Sequence, residues 1–212
     1  MSEEFWNRIA EQIGYDHSHI NKKVVGESGE AKFREVLTGK AKNSLVLDVG
    51  CADGSFTIDI ADSTRHVTGV DNSPKMIERA EQNAKNRGKT NVKFAVMDVE
   101  NLEFDGNSFD VTYSRRGPGT GSTKSLTECR RVLKPGGMFI EITIGEIDCR
   151  DLGKIFGRCQ MMKATAVAQK KTAMLTAQAR TCHISVWNLQ RANKRLIWTF
   201  AAFMVTSLMP FV

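Results

Sequence analysis

The chain has 212 residues, 41% apolar and 25% charged, and a formal net charge of +6 at pH 7. These values suit one domain, or one domain with an appendage, and a core of useful size, and they exclude a low-complexity or disordered chain. The start, MSEEFWNRIAEQ, is acidic and polar where a secretory leader needs a basic and then an apolar run, so a cytoplasmic protein is expected.

The net charge hides a division. All 24 acidic residues lie in Met1–Asp151 beside 21 of the 30 basic ones, a net of −3, whereas Leu152–Val212 holds nine Lys and Arg and no acid, a net of +9. The chain is read as three segments: an N-terminal helical segment at 1–40, a core at 41–151, and a basic, acid-free tail at 152–212. Five cysteines, at 51, 129, 149, 159 and 182, form no CxxC pair and no usual zinc spacing. Free thiols and no metal site are expected.

In chain order, Phe5, Ile9 and Ile13 recur at helical spacing, and EAKFREVL predicts a second helix. Leu45–Val49 is an apolar strand interrupted by Asp48. A glycine-rich turn and a helix at Ser55–Ser63 follow. Val67–Val70 is a second strand. Ser73 caps a helix that has Pro74 at its first position and runs to Gly88. Val92–Met97 and Phe109–Tyr113 are further strands. Thr123–Leu133 is a helix stopped by KPGG, and Met138–Ile144 is a fifth strand. Strands alternating with helices predict an α/β, doubly wound, mostly parallel sheet with helices on both faces. After Ile144 the pattern degrades. Asp151–Gly157 reads as a helix start and Met161–Ala179 as helix-compatible, and no clear strand hairpin is legible.

Two runs carry the chemistry. LVLDVGCADGSFT at Leu45–Thr57 passes from strand through a glycine-rich turn into a helix, and VTGVDNSPKMIERA at Val67–Ala80 ends a strand on Asp71. In a parallel sheet both place a nucleoside pocket at the carboxyl edge. Asp48 is an acid at the end of a buried strand and needs partners, which amides of the following turn and a cationic ligand group could supply. Gly50 and Gly54 leave room for backbone to approach a ligand. Asp71 can accept two hydrogen bonds from a ribose diol. GCADG is not GxGxxG, so the turn departs from the dinucleotide fingerprint.

As a set, these residues resemble the class I, Rossmann-like S-adenosylmethionine-dependent methyltransferases. DNSPKM is similar to that family's pattern of acid, x, Ser, two residues, then Met, and RRVLKPGGMFIEI is similar to its late motif. The resemblance covers about Leu45–Ile144. It implies S-adenosylmethionine as cofactor, held by Asp48, Gly50, Cys51, Ala52, Gly54, Asp71, Asn72, Met76, Asp98, Val99 and Ser114. Asp48 would order the turn or hold the methionine end. Met76 would pack near the adenosine, Asp98 would lie beside the adenine amino group, and Val99 would offer an amide to the ring. Ala52 stands where the family often has glycine. The family normally closes its sheet with a C-terminal hairpin.

SRRGPGTGSTKS at Ser114–Ser125 leaves the fourth strand. Lys124 follows Thr123 and the GxxxxGK spacing is absent, so this is not a P-loop. Arg115 or Arg116 is expected to position a carboxylate or phosphate of the substrate, the alternative being that they cover the surface or pair with Asp105 or Glu103. No Asn-Pro-Pro-Tyr or Pro-Cys run suggests base methylation, and no GxSxG or HExxH suggests a hydrolase. The catalytic residue is left unassigned. Tyr15, His17 and His19 are base candidates if the N-terminal segment covers the site.

The implied activity is methyl transfer to a small-molecule acceptor. A catalytically impaired cofactor-binding or interaction protein is the alternative, motivated by the tail, whose reading frame could change near residues 150–160. The tail leaves further readings open: a basic arm attracted to nucleic acid, a membrane anchor at the uncharged Leu196–Val212, or a terminal segment packed on the core.

Overall fold

The computed structural model describes residues 4, 7, 8, 27–115, 122–144, 155–165 and 181–189. Its elements are α1 (Glu27–Lys40), β1 (Leu45–Val49), α2 (Ser55–Ile60), a 3-10 turn (Ala61–Ser63), β2 (His66–Asp71), α3 (Pro74–Asn86), β3 (Val92–Val96), β4 (Phe109–Arg115), α4 (Thr123–Val132), β5 (Leu133–Ile144), β6 (Gly157–Thr165) and β7 (Thr181–Leu189). One sheet has the order β3-β2-β1-β4-β5-β7-β6. Strands β1 to β5 pair in parallel, and β7 pairs antiparallel with both β5 and β6.

Strand alternation sorts the core into two layers. Val46 of β1, Val67, Val111, Tyr113, Ile140 and Ile142 pack with Phe33 and Leu37 of α1 and Phe56 of α2. Leu47 and Val49, one residue out of phase, pack with Val70, Phe139 and Leu126, Cys129 and Val132 of α4. Phe109 joins the second layer although it has the same parity as Val111, because the β4–β5 register shifts between them. Leu133 pairs with Phe109 and Met138 with Val111, so the KPGG stop survives as a bulge inside β5 and not as a separate turn. At the opposite edge from the glycine-rich turn, Asp110 accepts from Leu45 N at 2.8 Å and from Lys134 Nζ at 2.8 Å.

The helix starting at Ser73 forms as expected: its hydroxyl accepts from Met76 N at 3.2 Å, with Pro74 first in the helix. The tail differs from its reading. Met161–Thr165 belongs to strand β6 and not to a helix, and the hairpin that the sequence left doubtful is present as β6 and β7. Backbone pairing along β7 outweighs the mild helix preference of Ala, Lys, Gln and Met. Ile155 and Phe156 are helical, and Phe156 stacks on Phe139 at 5.0 Å. No helix among the described residues is long and apolar enough to cross a membrane, and Leu196–Val212 lies outside them.

Candidate functional site

The sheet order reverses between β1 and β4, which opens a crevice outside their carboxyl ends. The turn after β1 lines it. Gly50 and Cys51 donate their amides to Val70 O at 2.8 and 3.0 Å, pinning the turn to the end of β2. Gly50, Ala52 and Gly54 have φ of 79°, 50° and 70°. Ala52 therefore sits in the left-handed region that favours glycine. Gly54 has a second constraint: a methyl group there would stand 2.6 Å from Phe94 Cζ.

Asp71 ends β2 and closes the same turn. Its Oδ2 accepts from Ala52 N at 3.0 Å and its Oδ1 from Ser73 N at 3.0 Å. Burial pushes its carboxyl above the usual range, and the backbone hydrogen bonds oppose that. A carboxylate oxygen can accept more than one bond, so this donor geometry suits a diol approaching from the crevice. Ser73 also donates to Asn7 Oδ1 at 2.5 Å, which brings Asn7 to this corner. Asn72 is exposed and Met76 is buried. Beyond β3, exposed Asp98 accepts from Glu100 N at 2.9 Å, and Val99 is buried in the second core layer.

Asp48 is different. It is only 2% exposed, and its Oδ2 accepts from Thr57 Oγ1 and Tyr113 Oη, both at 2.6 Å. The expected amide partners are replaced by side-chain hydroxyls, because Tyr113 lies beside Asp48 in the β1–β4 register and Thr57 is one turn into α2. Burial pushes the Asp48 carboxyl up to about 6, against the pull of the two hydroxyls and of Arg115. Burial and the Asp48 charge raise the Tyr113 hydroxyl, which stays a donor. Cys51 is a buried free thiol, raised well above its usual range by burial and by Asp48 and Asp71.

At the exit of β4, Ser114 is fully buried and in register with Glu141. Arg115 pairs with Glu30 of α1 at 3.1 Å and lies 3.8 Å over the Phe56 ring. Its partner is thus neither Asp105 nor Glu103: α1 crosses this face of the sheet and brings in a residue 85 positions away. Arg116, Tyr15, His17 and His19 lie outside the described residues. The structure gathers Asp48, the turn 50–54, Asp71, Asn72, Met76, Asp98, Val99, Ser114 and Arg115 along one sheet edge. It adds Thr57, Tyr113, Phe56 and Glu30, which the sequence reading did not single out. A hydroxyl opposite Asp48 in a parallel register was a usable signal for Tyr113, but nothing local marked Glu30.

Comparison with known proteins agrees with this arrangement. The methyltransferase domain family profile matches residues 40–201, a span that includes most of the acid-free tail. The chain is 30% identical over 149 residues to a malonyl-[acyl-carrier protein] O-methyltransferase of Paenibacillus sp. (strain JDR-2), covering 67% of this chain and 54% of that protein. It is 33% identical over 143 residues to a demethylmenaquinone methyltransferase of Staphylococcus aureus (strain MRSA252), covering 63% and 58%. The chain therefore spans little more than half the length of these relatives. Two solved structures share the fold. The N-methyltransferase NodS of Bradyrhizobium japonicum WM9, in complex with S-adenosyl-L-homocysteine, has a TM-score of 0.69 at 15% identity, covering 89% of this chain and 98% of that one. The YcgJ protein of Bacillus subtilis has a TM-score of 0.66 at 17% identity, covering 76% and 100%. With the profile matched over most of its length and the sheet order and crevice in place, the chain belongs to the methyltransferase domain family.

Proposed function

We propose that the protein is an S-adenosylmethionine-dependent methyltransferase acting on a small-molecule acceptor, with its cofactor in the crevice outside β1, β2 and β4. The observation that carries this reading is Asp71: two backbone amides aim its carboxylate beside a turn of positive-φ residues. In this reading Asp71 accepts from the ribose hydroxyls, Met76 and Val99 border the adenine, and Asp98 lies beside its amino group. Asp48 faces the amino-acid end of the cofactor. The bound cofactor supplies an electrophilic methyl group on a sulfonium. The protein contributes orientation and exclusion of water, which can lower such a barrier by roughly 7–11 kcal/mol. No base is required for an acceptor that arrives deprotonated.

Segment 1–40 then acts as a cover, 41–151 as the cofactor core, and Arg115 with Arg116 as the border of the acceptor site. A cytoplasmic setting accords with the buried thiols Cys51 and Cys129. The names of the two curated relatives support a small acceptor and leave its identity open. The β6–β7 pairing answers one reason for the alternative of an impaired cofactor-binding or interaction protein, the missing strand hairpin, while the acid-free composition of the tail still motivates it. Calorimetric titration with S-adenosylmethionine and S-adenosylhomocysteine tests the cofactor half: saturable one-to-one binding is expected, and a folded chain that binds neither overturns the reading. Labelled methyl transfer to a malonyl thioester and to demethylmenaquinone then tests the acceptor half.

A further inference from the structure

Arg115 is the last residue of β4 and stands at the carboxyl edge where the crevice opens. A free guanidinium there would receive a carboxylate or phosphate. The fold has already supplied the anion. Glu30 of α1 meets Arg115 at 3.1 Å, and each side chain is only 13% exposed, so solvent ions screen the pair little. The Phe56 ring carries two guanidiniums, Arg115 at 3.8 Å and Arg34 at 4.7 Å from its centre, and Arg34 is matched in turn by Asp59 at 3.0 Å. At the same edge of the sheet, Lys124 of α4 faces Glu100 at 3.8 Å.

The match is anchored in the core. Phe33 lies one turn along α1 from Glu30, is fully buried, and meets Phe56 at 5.8 Å and Tyr113 at 6.2 Å. Leu37 continues the same buried stripe. Helix α1 therefore cannot withdraw Glu30 without opening that cluster. The pair is also not a closed fork: Glu30 Oε1 and Arg115 Nε are buried and have no hydrogen-bond partner. One acceptor and one donor of the pair thus remain unused. A hydroxyl both donates and accepts, so it suits both atoms. A carboxylate only accepts, and it would stand against the charge of Glu30.

We propose that Glu30 is a specificity-determining residue of the acceptor site: by matching Arg115 it makes the end of β4 a neutral donor–acceptor pair, which takes an uncharged hydroxyl compound and rejects its carboxylate analogue. This rests on the reading above that the acceptor lies beside Arg115, and it names the class of acceptor. A bare Arg115 would select the opposite class, so removing the Glu30 charge alone shifts the preference toward anions.

The test is a titration of the full chain, saturated with S-adenosylhomocysteine, with 2-naphthol and with 2-naphthoate, which share a ring system and differ in charge at neutral pH. Binding is read from the Arg115 Nε–H signal in nitrogen-resolved magnetic resonance spectra, assigned by its loss in Arg115→Lys. In the parent, 2-naphthol should bind about 10-fold more tightly than 2-naphthoate. Glu30→Gln should raise the affinity for 2-naphthoate about 10-fold or more and change that for 2-naphthol about threefold at most. Glu30→Asp, which draws the carboxylate back by one methylene group, should act in the same direction and serves if Glu30→Gln does not fold. A parent that binds the two probes alike or prefers 2-naphthoate overturns the inference, as does a Glu30→Gln chain with unchanged affinity for 2-naphthoate. A signal that neither probe moves takes the acceptor away from Arg115 and overturns the inference with it, while retained S-adenosylhomocysteine binding leaves the cofactor reading intact. A folded parent that binds no S-adenosylhomocysteine overturns both.

Discussion

Asp48 and Asp71 end neighbouring parallel strands, one turn apart, yet they are held in opposite ways. Asp71 is fixed by main chain, with one amide on each oxygen. Asp48 is fixed by side chains, with two hydroxyls on one oxygen, and is sealed from solvent. A carboxylate held by amides depends on the fold and little on its neighbours' identity, and it keeps lone pairs for a ligand. A carboxylate held by hydroxyls and a nearby guanidinium is tuned by each of those residues. One acid suits direct recognition, and the other suits electrostatic control.

Substitutions can break this contrast, and the largest effect is expected at Asp71. Asp71→Ala removes the proposed acceptor for two ribose hydroxyls and should weaken S-adenosylhomocysteine binding by about 100-fold or more, since hydrogen bonds to a charged group are worth about 1.5–3 kcal/mol each. Retained affinity in calorimetry would mean that the amides hold Asp71 for structure only. The turn joining the two acids comes next. Gly54→Ala combines a φ of 70° with a contact of 2.6 Å to Phe94 and should cost about 2–3 kcal/mol in urea denaturation, partly recovered by Phe94→Leu.

Asp48 should behave in the reverse sense. Its folded carboxyl lies near 6 against an ordinary value of 3.8, so the folded chain binds more protons between about pH 4 and 6, and stability falls as pH rises through that window. Asp48→Asn should therefore be more stable than the parent by about 2 kcal/mol at pH 8 and equal to it near pH 4, while binding S-adenosylhomocysteine less well. Equal stability at both pH values would show that the burial of Asp48 carries no cost. The smallest effect is expected at Ala52, which sits at φ 50°. Ala52→Gly should raise stability by roughly 0.5–1 kcal/mol, and a loss of stability would contradict the left-handed turn that presents Asp71.

Much of the core was legible in the residues. Apolar runs bounded by glycine and polar turns gave β1 to β4 to within two residues, and Ser73-Pro74 marked the start of α3 because capping is local chemistry. The failures involve partners distant in sequence. The KPGG stop became a bulge because β4 continued to pair across it. The tail reads as helix-compatible through Met161–Ala179, yet Gly157–Thr165 is a strand, because β7 offers it a ladder that no local window contains.

The sequence by itself determined the parallel sheet, the glycine-rich turn and the placement of two acids at strand ends, since these follow from hydrophobic period, backbone permissiveness and capping over a few residues. Tertiary structure alone decided what each acid does. Tyr113 reaches Asp48 through strand register, and Glu30 reaches Arg115 through the packing of α1 over Phe56. Those contacts join residues 65 and 85 positions apart, and their strength depends on burial, which exists only once the sheet and its helices have closed around them.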